Sequence, residues 1–156
     1  MKKKILILTI IILFLAGCKN KEEIEKNDYL TMKSKLLENK KYSKTDELPC
    51  DIIVNVDRVD KERVNYKISF SSPKENMHNI KAIVVHNYYT EEVFPSIGLF
   101  NKKYNLLLDN KENSNITLKG KIETREDIDN INFKFKIYIE FYDDNNNKKD
   151  IYYKTT

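Results

Sequence analysis

Phe133-Lys134-Phe135-Lys136-Ile137-Tyr138-Ile139-Glu140-Phe141-Tyr142 decides the fold class of this chain. Phe133, Phe135, Ile137, Ile139 and Phe141 alternate with Lys134, Lys136, Tyr138, Glu140 and Tyr142. A period of two sends successive side chains to opposite faces, so the stretch predicts a strand with one apolar face. The run Asp143-Asp144-Asn145-Asn146-Asn147 then supplies turn residues, and Lys148 to Lys154 predicts the returning strand of a hairpin.

The same period recurs on the N-terminal side. Ile116, Leu118 and Ile122 share a face over 115–124, and Tyr104 to Asp109 precedes them as a short strand. Ile80 to Tyr88 contains Ile83-Val84-Val85, apolar on both faces as in a central strand. Val64, Tyr66, Ile68 and Phe70 alternate with polar residues, and Cys50 to Val56 is the expected hairpin partner across Asp60-Lys61-Glu62. About seven strands follow one another with no helical period between them, which predicts an all-β, antiparallel sandwich rather than parallel βαβ units. Over about residues 50–154 this resembles the immunoglobulin-like and fibronectin-III-like sandwiches of bacterial surface proteins. The resemblance rests on strand number and alternation; an up-and-down barrel is the other architecture they allow.

Before residue 49 the pattern is different. Lys19 to Leu48 is polar and highly charged, but Tyr29, Met32 and Leu36 lie three and four apart. That spacing predicts a short helix over 28–39 within a tether of residues 18–48.

The first 18 residues have their own organisation. Lys2, Lys3 and Lys4 precede an apolar run from Ile5, which ends in Leu15-Ala16-Gly17-Cys18. A basic start, a short apolar middle and small residues before a cleavage point make a secretory signal. Ile5 to Cys18 would span only roughly 21 Å as a helix, against about 30 Å of hydrocarbon. Leu15-Ala16-Gly17-Cys18 resembles the lipobox of bacterial lipoproteins. The resemblance implies removal of residues 1–17, a diacylglyceryl group on Cys18, and attachment to the extracytoplasmic face of the cell membrane. Two acyl chains hold a protein stably where one does so only marginally.

Charge and cysteine content take their meaning from that processing. The chain has 28 basic and 24 acidic residues. Loss of the three leader lysines leaves it near neutrality, so no global argument for nucleic-acid binding survives. With Cys18 lipidated, Cys50 has no partner for an internal disulfide, and it is expected as a small apolar residue at the start of a strand.

Catalytic constellations are sparse. His78 and His86 are the only histidines and have no metal-ligand spacing. Gly17, Gly98 and Gly120 cannot form a phosphate-cradling loop, and Asp143 to Asn147 lacks the order of a calcium loop. The reading is therefore no enzyme, no cofactor and no metal. Two features suggest binding. Asn87 to Phe100 runs uncharged from Val93 and carries Tyr88, Tyr89, Phe94, Ile97 and Phe100. It is either an exposed apolar loop of the kind that meets a partner, or an extra edge strand folded back on the core. Tyr138, Tyr142 and Tyr152 fall on the outer face of the last hairpin, either as a contact surface or as cross-strand pairs that stabilise the sheet. The expected role is an accessory or immunity-type lipoprotein that binds a protein or peptide at the cell surface. The alternative is a glycan- or small-molecule-binding lipoprotein.

Overall fold

The computed structural model describes residues 21–88, 94–100, 102–110, 115–124, 128 and 131–155. One helix, α1 (Lys21–Glu38), precedes eight strands: β1 (Asp51–Arg58), β2 (Arg63–Ser71), β3 (Met77–His86), β4 (Ser96–Ile97), β5 (Tyr104–Leu106), β6 (Asn115–Glu123), β7 (Phe135–Tyr142) and β8 (Lys148–Lys154). They form two antiparallel sheets, one in the order β1-β2-β6 and a five-stranded one in the order β4-β3-β7-β8, with β5 also on β3. The chain changes sheet between β2 and β3, between β5 and β6, and between β6 and β7. These crossings distribute the chain over two antiparallel sheets, consistent with an all-β sandwich. The two short strands β4 and β5 share one edge of β3 and together do the work of a single strand.

Alternation builds the main core. Val64, Tyr66, Ile68 and Phe70 of β2 lie opposite Ile122, Gly120, Leu118 and Ile116 of β6. Facing them across the sandwich are Phe135, Ile137, Ile139 and Phe141 of β7 with Met77, Ile80, Ala82 and Val84 of β3. The pairing of Tyr66 with Gly120 leaves room for the tyrosine ring, which packs 5.2 Å from Phe135 and 5.7 Å from His86.

β3 breaks the period of two. Asn79 has φ +51°, and the register with β5 and β7 shifts around it. This bulge turns both Met77 and Ile80 to the core although they are three residues apart. The Asn79 N–H donates to Oδ1 of Asn105, 2.8 Å away, which holds the kink.

The last hairpin turns as its composition demands. Asp143 Oδ1 accepts from the N–H groups of Asn145 and Asn147, each at 2.9 Å, and Asn146 takes the left-handed conformation with φ +59°. Hydrogen bonds from these amides hold the Asp143 carboxyl below the usual carboxylate range.

The helix begins at Lys21, earlier than the apolar spacing alone indicates. Its first turns are built from local electrostatics: Lys26 pairs with Glu22 at 2.7 Å and Lys21 with Glu25 at 3.6 Å. Glu22 and Glu23 in the first turn and Lys35 in the last suit the helix dipole. The helix does not stand off the body. Tyr29, Met32 and Leu36 are buried against Ile83, Leu99 and Tyr138 on the outer side of the five-stranded sheet, forming a second core. Lys81 of β3 clamps the helix through Asp28 at 2.9 Å. Beyond Glu38 the chain wraps the β8 edge, where the Ser43 N–H donates to the Tyr152 carbonyl at 2.8 Å. A 3₁₀ turn (Thr45–Glu47) and buried Leu48 then lead into β1.

Candidate functional site

The five-stranded sheet is apolar on both faces around β7, because Tyr138 and Glu140 are buried as well as Ile137, Ile139 and Phe141. Its outer face would be costly to expose, and α1 covers it. The margins of that cover are where aromatic side chains reach solvent. On the β4 side, Tyr29 of the helix meets Phe94 edge-on at 5.0 Å, and Phe94 lies 5.3 Å from Phe100. Phe94 and Phe100 are half-buried and Leu99 beneath them is buried. Gly98 makes this approach possible. Its φ is +72°, and a Cβ there would lie 2.0 Å from the Ile80 carbonyl oxygen.

On the β8 side, the Tyr138 and Tyr152 rings pack at 4.8 Å, Lys35 Nζ lies 5.8 Å from the Tyr138 ring centroid, and Lys154 covers Tyr42. The Tyr138 hydroxyl donates to Asp150 Oδ1 at 2.9 Å, with Glu140 Oε2 at 3.4 Å. Glu140 and Asp150 are direct cross-strand neighbours, and Lys148 Nζ sits 2.6 Å from Glu140. Burial, followed by the neighbouring Asp150 carboxylate, pushes the Tyr138 phenol well above its ordinary value. Burial also raises Tyr29, to about 12. Burial thus favours the neutral phenol at both positions, Tyr29 as a packing group and Tyr138 as a hydrogen-bond donor as well.

The structure gathers Phe94, Phe100, Tyr138 and Tyr152 into this one cluster. It leaves the other sequence candidates apart. Ile97 is a core residue of β4, paired with Ala82, so this part of the 87–100 segment is an edge strand folded on the core. Tyr88 is half-buried at the rim of the main core, 5.2 Å from Phe133. Tyr142 lies at the end of β7 beside His78 and Lys148 in the register. Tyr138 is on the outer face of the sheet, as alternation predicts, yet is 0 % exposed because the helix lies over it. It is therefore no free contact surface. Tyr89, Cys18 and the Leu15-Ala16-Gly17 motif lie outside the described residues. Sequence reasoning did not place Tyr29, Met32 and Leu36 at this site. Their spacing marked a helical face, but nothing local named the sheet that receives it.

The two histidines sit in different surroundings. His86 is half-buried with its ring 5.7 Å from Tyr66 and 6.0 Å from Phe135, and burial lowers its pKa. His78 Nε2 lies 2.9 Å from Asp144 Oδ1 in an exposed pair that Asn76 also joins. Cys50 is buried in the main core, and burial pushes its thiol up to about 12, which leaves it unreactive. Among the described residues no group of His, Cys, Asp and Glu could hold a metal ion, and no helix is long and apolar enough to cross a membrane. A polar cleft of about 230 Å³ lies where β5 crosses to β6, lined by Lys102, Lys103, Tyr104, Asn105, Asn115 and Ile116.

Neither a family model, nor a curated protein, nor a solved structure matches the chain.

Proposed function

We propose that the chain is a lipid-anchored binding module on the extracytoplasmic face of the cell membrane. It is an accessory or immunity-type lipoprotein that engages a protein or peptide partner and carries out no catalysis. The observation that supports this reading best is the Tyr29–Phe94–Phe100 seam. The half-buried rings of Phe94 and Phe100, held in place by buried Tyr29 of the helix and by Leu99 beneath them, lose little entropy when a partner covers them. Such rigid aromatic groups dominate binding energy at protein interfaces.

Anchorage through a diacylglyceryl group on Cys18 puts the seam close to the bilayer. Only Lys19 and Asn20 separate Cys18 from the start of α1. Whatever their conformation, two linking residues reach no farther than about 11 Å. The docked helix thus turns a long tether into a short mount.

Two measurements test the reading. Cells expressing the full chain incorporate labelled palmitate into the wild type and not into Cys18→Ser; equal incorporation refutes the anchor. Pull-down from the envelope fraction recovers a partner with the wild type and loses it with Phe94→Ser and Phe100→Ser at unchanged far-UV circular dichroism. Retention of the same partner by both folded variants refutes the seam as the interface.

A further inference from the structure

We infer that the cleft between β5 and β6 is a binding site for a phosphate ester, held by Lys102, Lys103, Asn105 and Asn115. The inference depends neither on the lipid anchor nor on the aromatic seam.

The cleft has a rigid frame. β5 belongs to the five-stranded sheet and β6 to the three-stranded one, so the walls come from both layers of the sandwich. Tyr104 is fixed opposite Ile80 of β3, and Asn115 and Ile116 opposite Ser71 and Phe70 of β2. Ile116 is buried and belongs to the main core, which backs the cleft. The volume, about 230 Å³, lies just under the range for drug-sized ligands, about 300–1,000 Å³, and suits a small polar group.

The lining is built to donate. Lys102 and Lys103, which lead into β5, bring two ammonium groups. Lys102 Nζ lies 5.5 Å from the centroid of the Tyr104 ring, whose face attracts a cation and keeps this ammonium beside the cleft. Asn105 is oriented by the bulge in β3. The Asn79 N–H can only donate, and it donates to Asn105 Oδ1 at 2.8 Å. The side-chain oxygen is thereby engaged, and the NH₂ is the group left for a ligand. At Asn115 the oxygen again has a donor, the Thr117 hydroxyl at 3.4 Å.

The ligand class follows from these donors. Two ammonium groups and two amide NH₂ groups call for negative charge and for acceptor oxygens. A phosphate group supplies both, and its charged oxygens make strong hydrogen bonds to such donors. A neutral sugar presents hydroxyls that donate as well as accept, and it leaves both ammonium charges without a counter-charge. A carboxylate holds its two oxygens in one plane, whereas the donors here converge from two sheets and suit a tetrahedral group. A soluble phosphate ester and a phospholipid headgroup share this chemistry.

The test titrates the isotope-labelled full chain, in micelles of a neutral detergent, with glycerol phosphate and follows the side-chain NH₂ resonances of Asn105 and Asn115 by NMR. Saturable shifts of both are expected, with none from glycerol at the same concentration. Lys103→Gln removes one charge-assisted contact and is expected to weaken binding about tenfold. Asn105→Asp keeps an acceptor for the Asn79 N–H, so the thermal midpoint holds, but it replaces the donor with a negative charge and is expected to abolish the Asn115 shift. Lys119→Gln, at an exposed lysine of β6 outside the cleft, is expected to bind like the wild type. Phosphatidylglycerol added to the micelles identifies the source: the same shifts mark a lipid headgroup, and shifts from glycerol phosphate alone mark a soluble ester. No saturable shift with either phosphate, equal shifts with glycerol, or equal weakening by Lys119→Gln and Lys103→Gln overturns the proposal.

Discussion

Leu36→Ala asks whether α1 is part of the folded unit or an arm resting on it. Leu36 is 0 % exposed and packs in the second core with Tyr29, Met32, Ile83, Leu99 and Tyr138. Truncating a buried leucine to alanine costs about 2–5 kcal/mol, the transfer of the lost carbons plus the cavity left behind. Here the cavity lies under a single helix that can settle toward the sheet, which places the cost at about 3 kcal/mol, in the lower half of that range. For a chain of this size that lowers the thermal midpoint by roughly 6–12 °C. In urea, with a slope near 2 kcal/mol/M, it lowers the midpoint by about 1.5 M. The assay is urea unfolding followed at once by far-UV circular dichroism, for helix and sheet, and by tyrosine fluorescence. Leu37→Ala is the control: Leu37 is 51 % exposed, so its truncation changes stability by under about 0.5 kcal/mol. A single lowered transition in Leu36→Ala, coincident by both probes, is the expected result. Loss of helical signal with the sheet transition unmoved would refute the reasoning, because α1 would then be an independent appendage.

Three further outcomes follow from specific contacts. Gly98→Ala forces a Cβ to 2.0 Å from the Ile80 carbonyl in a left-handed backbone conformation and is expected to destabilise the chain by more than about 2 kcal/mol, read as the urea midpoint. Tyr138→Phe removes the donor to Asp150 while keeping the packed ring, for a loss of about 1 kcal/mol and no change in the circular dichroism spectrum. His86 has a folded pKa lowered below 6.5 by burial, so the unfolded chain binds the extra proton first. Its contribution is complete above about pH 6.5 and is lost as the pH falls from there toward the folded value. The urea midpoint should therefore drop between pH 7 and pH 5.5, and drop less in His86→Gln; an equal drop in both would assign the effect to other groups.

Much of the architecture was legible in the chain because a period of two is a local property. Phe135 to Tyr142, Val64 to Phe70 and Ile116 to Ile122 each declare a buried face without reference to any other element. Asp143 to Asn147 declares its turn through side chains that bond their own backbone. The helix face Tyr29, Met32 and Leu36 was equally plain. The candidate site was less legible. Tyr138 alternates to the outward face of its strand, and only the arrival of α1 turns that face into a core. Phe94 and Phe100 were visible as apolar residues, but their pairing with Tyr29 joins segments far apart in sequence.

The sequence by itself determined the long strands and most of their inward residues, the last hairpin and the buried side of the helix, because each depends on neighbours within a few residues. The tertiary structure decided the rest: the bulge at Asn79 that lets Met77 and Ile80 share a face, the sheet that receives the helix, and the meeting of Tyr29 with Phe94 and Phe100. The physical reason is the same in all three cases. An apolar face specifies that it must be covered, and the covering surface is chosen by packing between elements whose separation along the chain carries no local signal.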